Sequence, residues 1–172
     1  MTLPEHLASN PGPRKSEYWV QSLPAGCVLI RPWAPQDVAL ERHLLSRLTA
    51  QARRYWSLVS AQFAGDTQTS GFVALAHVRG HLRQVGQSRL WGGPQASVCH
   101  CAVIVDEPWQ RCGLGHQLMQ HLITTARQRG YSTVCSVDRS SHYGLHRLFK
   151  RLGFSSRYPQ GDFSEIIHEL KL

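Results

Sequence analysis

The chain has 172 residues, 42% of them hydrophobic and 17% charged, a length and balance that suit one globular domain with an ordinary core and exclude a multidomain machine. Nineteen Lys and Arg against eleven Asp and Glu leave a formal charge of +8, carried mostly by Arg, which favours an anionic ligand or partner without choosing among a phosphorylated cofactor, nucleic acid and an acidic protein. No run approaches the roughly 18 apolar residues that cross a bilayer, no charged-then-apolar leader is visible, and five Cys is an odd number, so a cytoplasmic protein with reduced thiols is expected.

Residues Met1 to Pro24, with four prolines and little apolar periodicity, predict a flexible N-terminal arm, and the domain is expected over 25–172. Cys27 to Arg31 predicts a strand stopped by Pro32, and Pro35 suits the first turn of a helix whose stripe is Leu40, Leu44 and Leu48. Thr49 can cap a second helix running to about Val59. After a polar loop from Ala64 to Ser70, Phe72 to Val78 and Leu82 to Trp91 predict a hairpin around Gly80, and Gly92, Gly93 and Pro94 separate it from a strand over Val98 to Val105. From Gly113 the period changes. Leu114, Leu118 and Leu122, flanked by Met119, Ile123 and Ala126, mark the clearest helix, closed by Gly130. Thr133 to Val137 predicts a strand, Ser140 or Ser141 a cap for a helix ending at Gly153, and Phe154 to Tyr158 with Phe163 to Leu170 a last pair of strands. The order is that of an α/β chain with a mixed sheet of about seven strands and about four helices.

Val103 to Gly115 reads VIVDEPWQRCGLG, a strand entering a glycine-bearing turn and then the best helix. Such a turn directs several backbone N–H groups one way at the positive end of a helix dipole, the arrangement that binds phosphate; Gly113 and Gly115 allow close approach, and Gln110 and Arg111 can add side-chain donors. The plainer alternative is a tight turn and nothing more. The Lys and Ser or Thr of a Walker loop and the third glycine of a dinucleotide fingerprint are missing.

Gln110-Arg111-Cys112-Gly113-Leu114-Gly115 resembles the Gln/Arg-x-x-Gly-x-Gly/Ala signature of the GNAT superfamily of N-acyltransferases, in the strand-to-helix context that signature requires. The order of elements and Leu148 to Phe154 (LFKRLGF) resemble the same family, over about Val28 to Leu172. Leu29-Ile30-Arg31-Pro32, Pro35-Gln36-Asp37 and the Pro-x-Gly-Asp turn before the last strand further resemble the acetyltransferase domain of bacterial Pat-type protein lysine acetyltransferases. The resemblance implies acetyl-CoA as co-substrate, with its pyrophosphate on Cys112, Gly113, Leu114, Gly115 and His116. It also implies that pantetheine lies along Val103, Ile104 and Val105, where that strand splays from Thr133 to Val137. The acceptor is then an amine, a protein lysine or a small molecule, attacking the thioester directly in a ternary complex, with no metal required.

Pat-type domains carry a glutamate as general base where this chain has His100. A neutral imidazole suits the same work, and the alternative is a strand histidine bonded for structure. Glu107 is the second candidate. The tyrosine many relatives carry in the final helix is Phe149 here, which leaves Tyr143, with Ser140 and Ser141, to be weighed as the acid, and His142 as a contact to the cofactor. Cys99, Cys101 and Cys112 around His100 do not make a zinc site, since strand alternation sends Cys99 and Cys101 away from His100. The competing reading is a non-catalytic module that holds CoA or, through its Arg-rich surface, nucleic acid. The chain is expected to be a monomer or homodimer, off the membrane.

Overall fold

The computed structural model describes residues 19–64, 69–93 and 95–172. In chain order the elements are β1 (Trp19–Leu23), β2 (Gly26–Pro32), α1 (Val38–Arg47), α2 (Ala50–Phe63), β3 (Ser70–Val78), β4 (His81–Trp91), β5 (Val98–Val105), α3 (Leu114–Gln128), β6 (Thr133–Arg139), α4 (Tyr143–Arg151), β7 (Ser155–Arg157) and β8 (Glu165–Lys171). The strands form one sheet in the order β1-β2-β3-β4-β5-β6-β8-β7, antiparallel throughout except for the parallel pair β5 and β6.

Among the described residues there are eight strands where about seven were expected. The extra one is β1, whose Trp19 to Leu23 pair with Ile30 to Gly26 of β2, so the arm predicted to reach Pro24 is corrected: its last part is an edge strand. Trp19 also packs edge-on against Phe72, 5.7 Å between ring centroids, which anchors that edge to the core. Residues 1–18 of the expected arm lie outside the described residues.

Both faces of the sheet are covered. Against one face α3 lays Leu114, Leu118, Met119, Leu122, Ile123 and Ala126, the predicted stripe, over β2 to β5, while the other face packs Leu44, Leu48, Trp56 and Val59 of α1 and α2 on Trp91, Ala102 and Ile104. Central strands covered on both sides need no polar face, which is why Phe72 to Ala76 is buried without a break. Arg79 and Gly80 both take positive φ, 52° and 80°, the two left-handed residues a type I′ hairpin turn demands.

Local contacts fix the helix entries. Arg31 grips Asp37 through two hydrogen bonds, at 2.8 and 2.6 Å, and Asp37 also accepts from the Ala34 N–H at 2.8 Å, so the Arg-Pro and Pro-Gln-Asp pieces tie β2 to the start of α1. Thr49 caps α2 by accepting from the Ala52 N–H at 3.2 Å. Neither Ser140 nor Ser141 caps α4. His142 is its N-cap, and the Ser140 N–H instead bonds the Ser164 carbonyl, holding the β6–α4 connection to the turn before β8.

Two features open the sheet where the site lies. β5 and β6 pair only over Val98 to His100 against Thr133 to Cys135, so from Cys101 onward the β6-facing edge of β5 carries unpaired backbone groups. A bulge at Val85 shifts the β3–β4 register; the Val85 carbonyl takes the Asp106 N–H at 2.9 Å, and Arg47 spans the place by donating to Asp106 at 2.9 Å and to the Gln84 carbonyl at 2.7 Å. The end of β5 is thereby clamped by α1.

Candidate active site

The turn after β5 is built by residues 106–113. A 3-10 turn at Glu107–Trp109 buries the Trp109 ring beneath the β1–β2 hairpin, and Cys112 points its thiol back to the Trp109 carbonyl at 2.9 Å. Arg111 and Gly113 take positive φ, 57° and 95°. The first bond of α3 runs from the Gln117 N–H to the Gly113 carbonyl, so the amides of Leu114, Gly115 and His116 face out of the helix end. A Cβ at Gly115 would meet Leu148 of α4 at 3.3 Å, so glycine there lets α3 and α4 approach.

A cavity of about 790 Å³ begins at this turn and runs along β5 to α2 and the start of α4. Val103, Ile104, Val105, Gln110, Arg111, Gly113, Gly115, His116 and His142 line it, as does Glu107. Cys112 and Leu114 do not; they take part in the turn through their backbone, the Leu114 side chain being in the core. Gln110 was expected to point a donor at an anion. Its amide instead donates to the Val105 carbonyl at 3.0 Å and braces the end of β5.

The two remaining catalytic candidates lie off this cavity. His100 stands at the last rung of the β5–β6 ladder, on the face of β5 that carries Ala102 and Ile104, exposed and stacked on Trp91 at 5.8 Å. Partial burial lowers its pKa from the ordinary imidazole value, so it is neutral at neutral pH. Tyr143 is 73% exposed and meets His146 edge-on, and Phe149 is fully buried between Phe154 and His168.

The fold adds residues that the linear pattern did not single out. Tyr55 of α2 reaches the opening between β5 and β6, where its phenol faces the Val103 backbone and Ser136, and burial holds its pKa well above the usual phenol range. Asp138 of β6 pairs with His142. Arg147 and Arg151 on one side of α4 join Arg111 on the cavity wall, opposite in sign to Glu107. A tyrosine in a helix otherwise read only for its cap gave no sign of this placement.

The profile of the Acetyltransferase (GNAT) family matches residues 31–154, and the chain belongs to that family; it is an acyltransferase, and acetyl-CoA is the co-substrate of the family. Acetyltransferase PA5475 of Pseudomonas aeruginosa is 34% identical over 170 residues, 92% of this chain and 91% of that protein. The ribosomal protein bS18-alanine N-acetyltransferase of Escherichia coli is 35% identical over 69 residues, 37% of this chain and 47% of that protein. Among solved structures, the GNAT domain of S. lividans PAT superposes with a TM-score of 0.75 at 14% identity, covering 93% of this chain and 99% of that one. No helix among the described residues is long and apolar enough to cross a membrane.

The residues fit the co-substrate. A row of outward amides beside three arginines suits phosphate groups, and the unpaired edge of β5 offers N–H and C=O groups to an extended amide chain.

Proposed function

We propose that this protein transfers acetyl from acetyl-CoA to a primary amine, with a protein lysine favoured over a small molecule. The observation that carries this reading is the continuity of the cavity from the phosphate turn along the open edge of β5. The lysine preference is supported by the Pat-like motifs in β2 and in the turn before α1 and by the likeness of fold to the PAT domain. A protein N-terminal amine is the second reading, favoured by the local similarity to the bS18-alanine N-acetyltransferase.

In this reading the amides of residues 114–116, with Arg111, hold the pyrophosphate, and the edge from Val103 to Val105 orients the pantetheine chain. Acetyl-CoA supplies an acyl group activated as a thioester. His100 takes the proton of the acceptor nitrogen as the amine arrives from the Trp91 side, and its exposure and neutral imidazole support that role. Glu107, at the cavity rim, is the alternative base. Calorimetric titration of acetyl-CoA, followed by thiol release with lysine-bearing proteins, peptides beginning with Ala and small amines, tests the proposal. Micromolar binding with release supports it; binding without release from any acceptor replaces it with a CoA-holding module.

A further inference from the structure

A buried polar group stands where the cavity meets the wedge between β5 and β6. Asp138 is 3% exposed; its Oδ1 accepts the Arg139 backbone N–H at 2.8 Å and pairs with His142 Nδ1, and its Oδ2 is buried without a hydrogen-bond partner. His142 lines the cavity at the N-cap of α4, and Tyr55 meets its ring edge-on, 5.8 Å between centroids and 86° between planes. A carboxylate on Nδ1 makes that nitrogen the donor within the pair, which leaves Nε2 as the exchangeable position. Burial raises the Asp138 carboxyl, and a protonated imidazole beside it is the charge that offsets this. The pair is built like an orienting carboxylate with an acid-base histidine, on the opposite side of the wedge from His100.

Resting on the acetyl-transfer reading, we propose that His142, positioned by Asp138, is the proton donor to the sulfur that leaves the acyl group. His142 Nε2 gives its proton to sulfur as the C–S bond breaks and sulfur takes the electron pair. The C–N bond forms as the acceptor nitrogen passes its proton to His100; His100 then releases that proton to solvent, and solvent reprotonates His142. Asp138 is the positioning residue; it holds the ring and its charge without touching the reacting atoms.

The groups around the imidazole are Asp138 from β6, Tyr55 from α2, Cys101 of β5 behind Tyr55, and His146 and Arg147 from α4. Burial keeps Tyr55 and Cys101 protonated.

The test uses CoA itself bound to the full chain, following the ultraviolet band of its thiolate against pH after subtraction of the ligand-free protein. His142→Gln is expected to raise the thiol midpoint by about one pH unit or more, and Asp138→Asn by a smaller step, with CoA affinity changed less than about threefold. With poly-L-lysine or a hexapeptide beginning with Ala as acceptor, kcat of His142→Gln falls about thirtyfold or more at unchanged KM for acetyl-CoA. A pair that only pins the β6–α4 connection would leave the thiol midpoint in place, and an identical midpoint in wild type and His142→Gln overturns the proposal. So does a shift produced by Tyr55→Phe and not by His142→Gln. Asp138→Asn, which keeps the imidazole, decides the matter if His142→Gln does not fold. Thiol coupling with neither amine acetylated refutes the acetyl-transfer reading and leaves His142 beside the sulfur, whereas no CoA binding at all overturns both.

Discussion

At one end of the cavity stand backbone amides in a single run, Leu114 to His116, on a turn whose own bonds run from Gln110 to Val105 and from Cys112 to Trp109. At the other end stand side chains from separate elements, Tyr55 on α2, Asp138 on β6 and His142 at the start of α4, which meet where β5 and β6 have stopped pairing beyond His100 and Cys135, with His100 on the last paired rung. The first is local geometry and tolerates little change in the backbone. The second is assembled over long range, so single side chains there can be exchanged for isosteres with the fold intact.

Substitution at the phosphate end therefore has the largest expected effect. Gly113→Glu forces a side chain onto a residue at φ 95° and sets a negative charge among the amides, and acetyl-CoA affinity by calorimetry is expected to fall about a thousandfold or more with circular dichroism preserved. An affinity within a few-fold of wild type would show that the turn does not hold the phosphates.

At the reacting end, His100→Gln is expected to lower kcat about a hundredfold while leaving acetyl-CoA affinity alone, which is the reverse partition. Its pKa is lowered from 6.5, so the active neutral form is lost only as pH falls below that value; the acid limb of the wild-type kcat/KM profile lies there and is absent from the variant. A limb that survives in His100→Gln assigns it to another group.

A stability effect in the same acid range sharpens the distinction. His168 of β8 lies fully buried against Phe149, with its Nδ1 2.7 Å from Ser156 Oγ and its pKa pushed down to about 4. Because the folded protein resists a proton that the unfolded chain accepts below about 6.5, the contribution of this residue is complete above that pH and is lost progressively as pH falls toward 4. Urea unfolding at a series of pH values is expected to show a decline of about 2 kcal/mol across the window in wild type, and a smaller decline in His168→Gln. Unfolding at fixed pH thus separates loss of the fold from loss of the base proposed at His100.

The smallest effect expected is electrostatic. Replacing Arg147 and Arg151 together by Ala weakens acetyl-CoA binding about tenfold at low salt, and the gap to wild type narrows as salt rises, because both side chains are exposed and screened. A gap independent of salt points to direct, desolvated contacts.

Elements whose cause is local were legible in the chain. The α3 stripe, the Thr49 cap, the left-handed Gly80 and Gly113 and the strand-turn-helix around Gln110 each follow from spacing or from a backbone conformation only certain residues adopt. β1 was missed because an edge strand between prolines has a mixed pattern, buried and exposed by turns, and its pairing partner lies across a turn at Pro24. The serine cap expected for α4 failed because the Ser140 amide is engaged by Ser164, from a turn the local pattern does not contain. Gln110 could be assigned a donor role from its position, but not the carbonyl it would choose.

Ten histidines are scattered along this chain with no periodicity to rank them. Residue order alone determined the mixed sheet, the family signature and the glycine turn that carries it, since these rest on hydrophobic period, chirality and the φ allowed at glycine. Only the tertiary structure decided that His100 stacks in the open on Trp91 while His142 is held by a buried carboxylate, and that Tyr55 stands between β5 and β6. The physical reason is that a titrating group takes its role from burial and from its charged neighbours, and both are set where distant strands cease to pair.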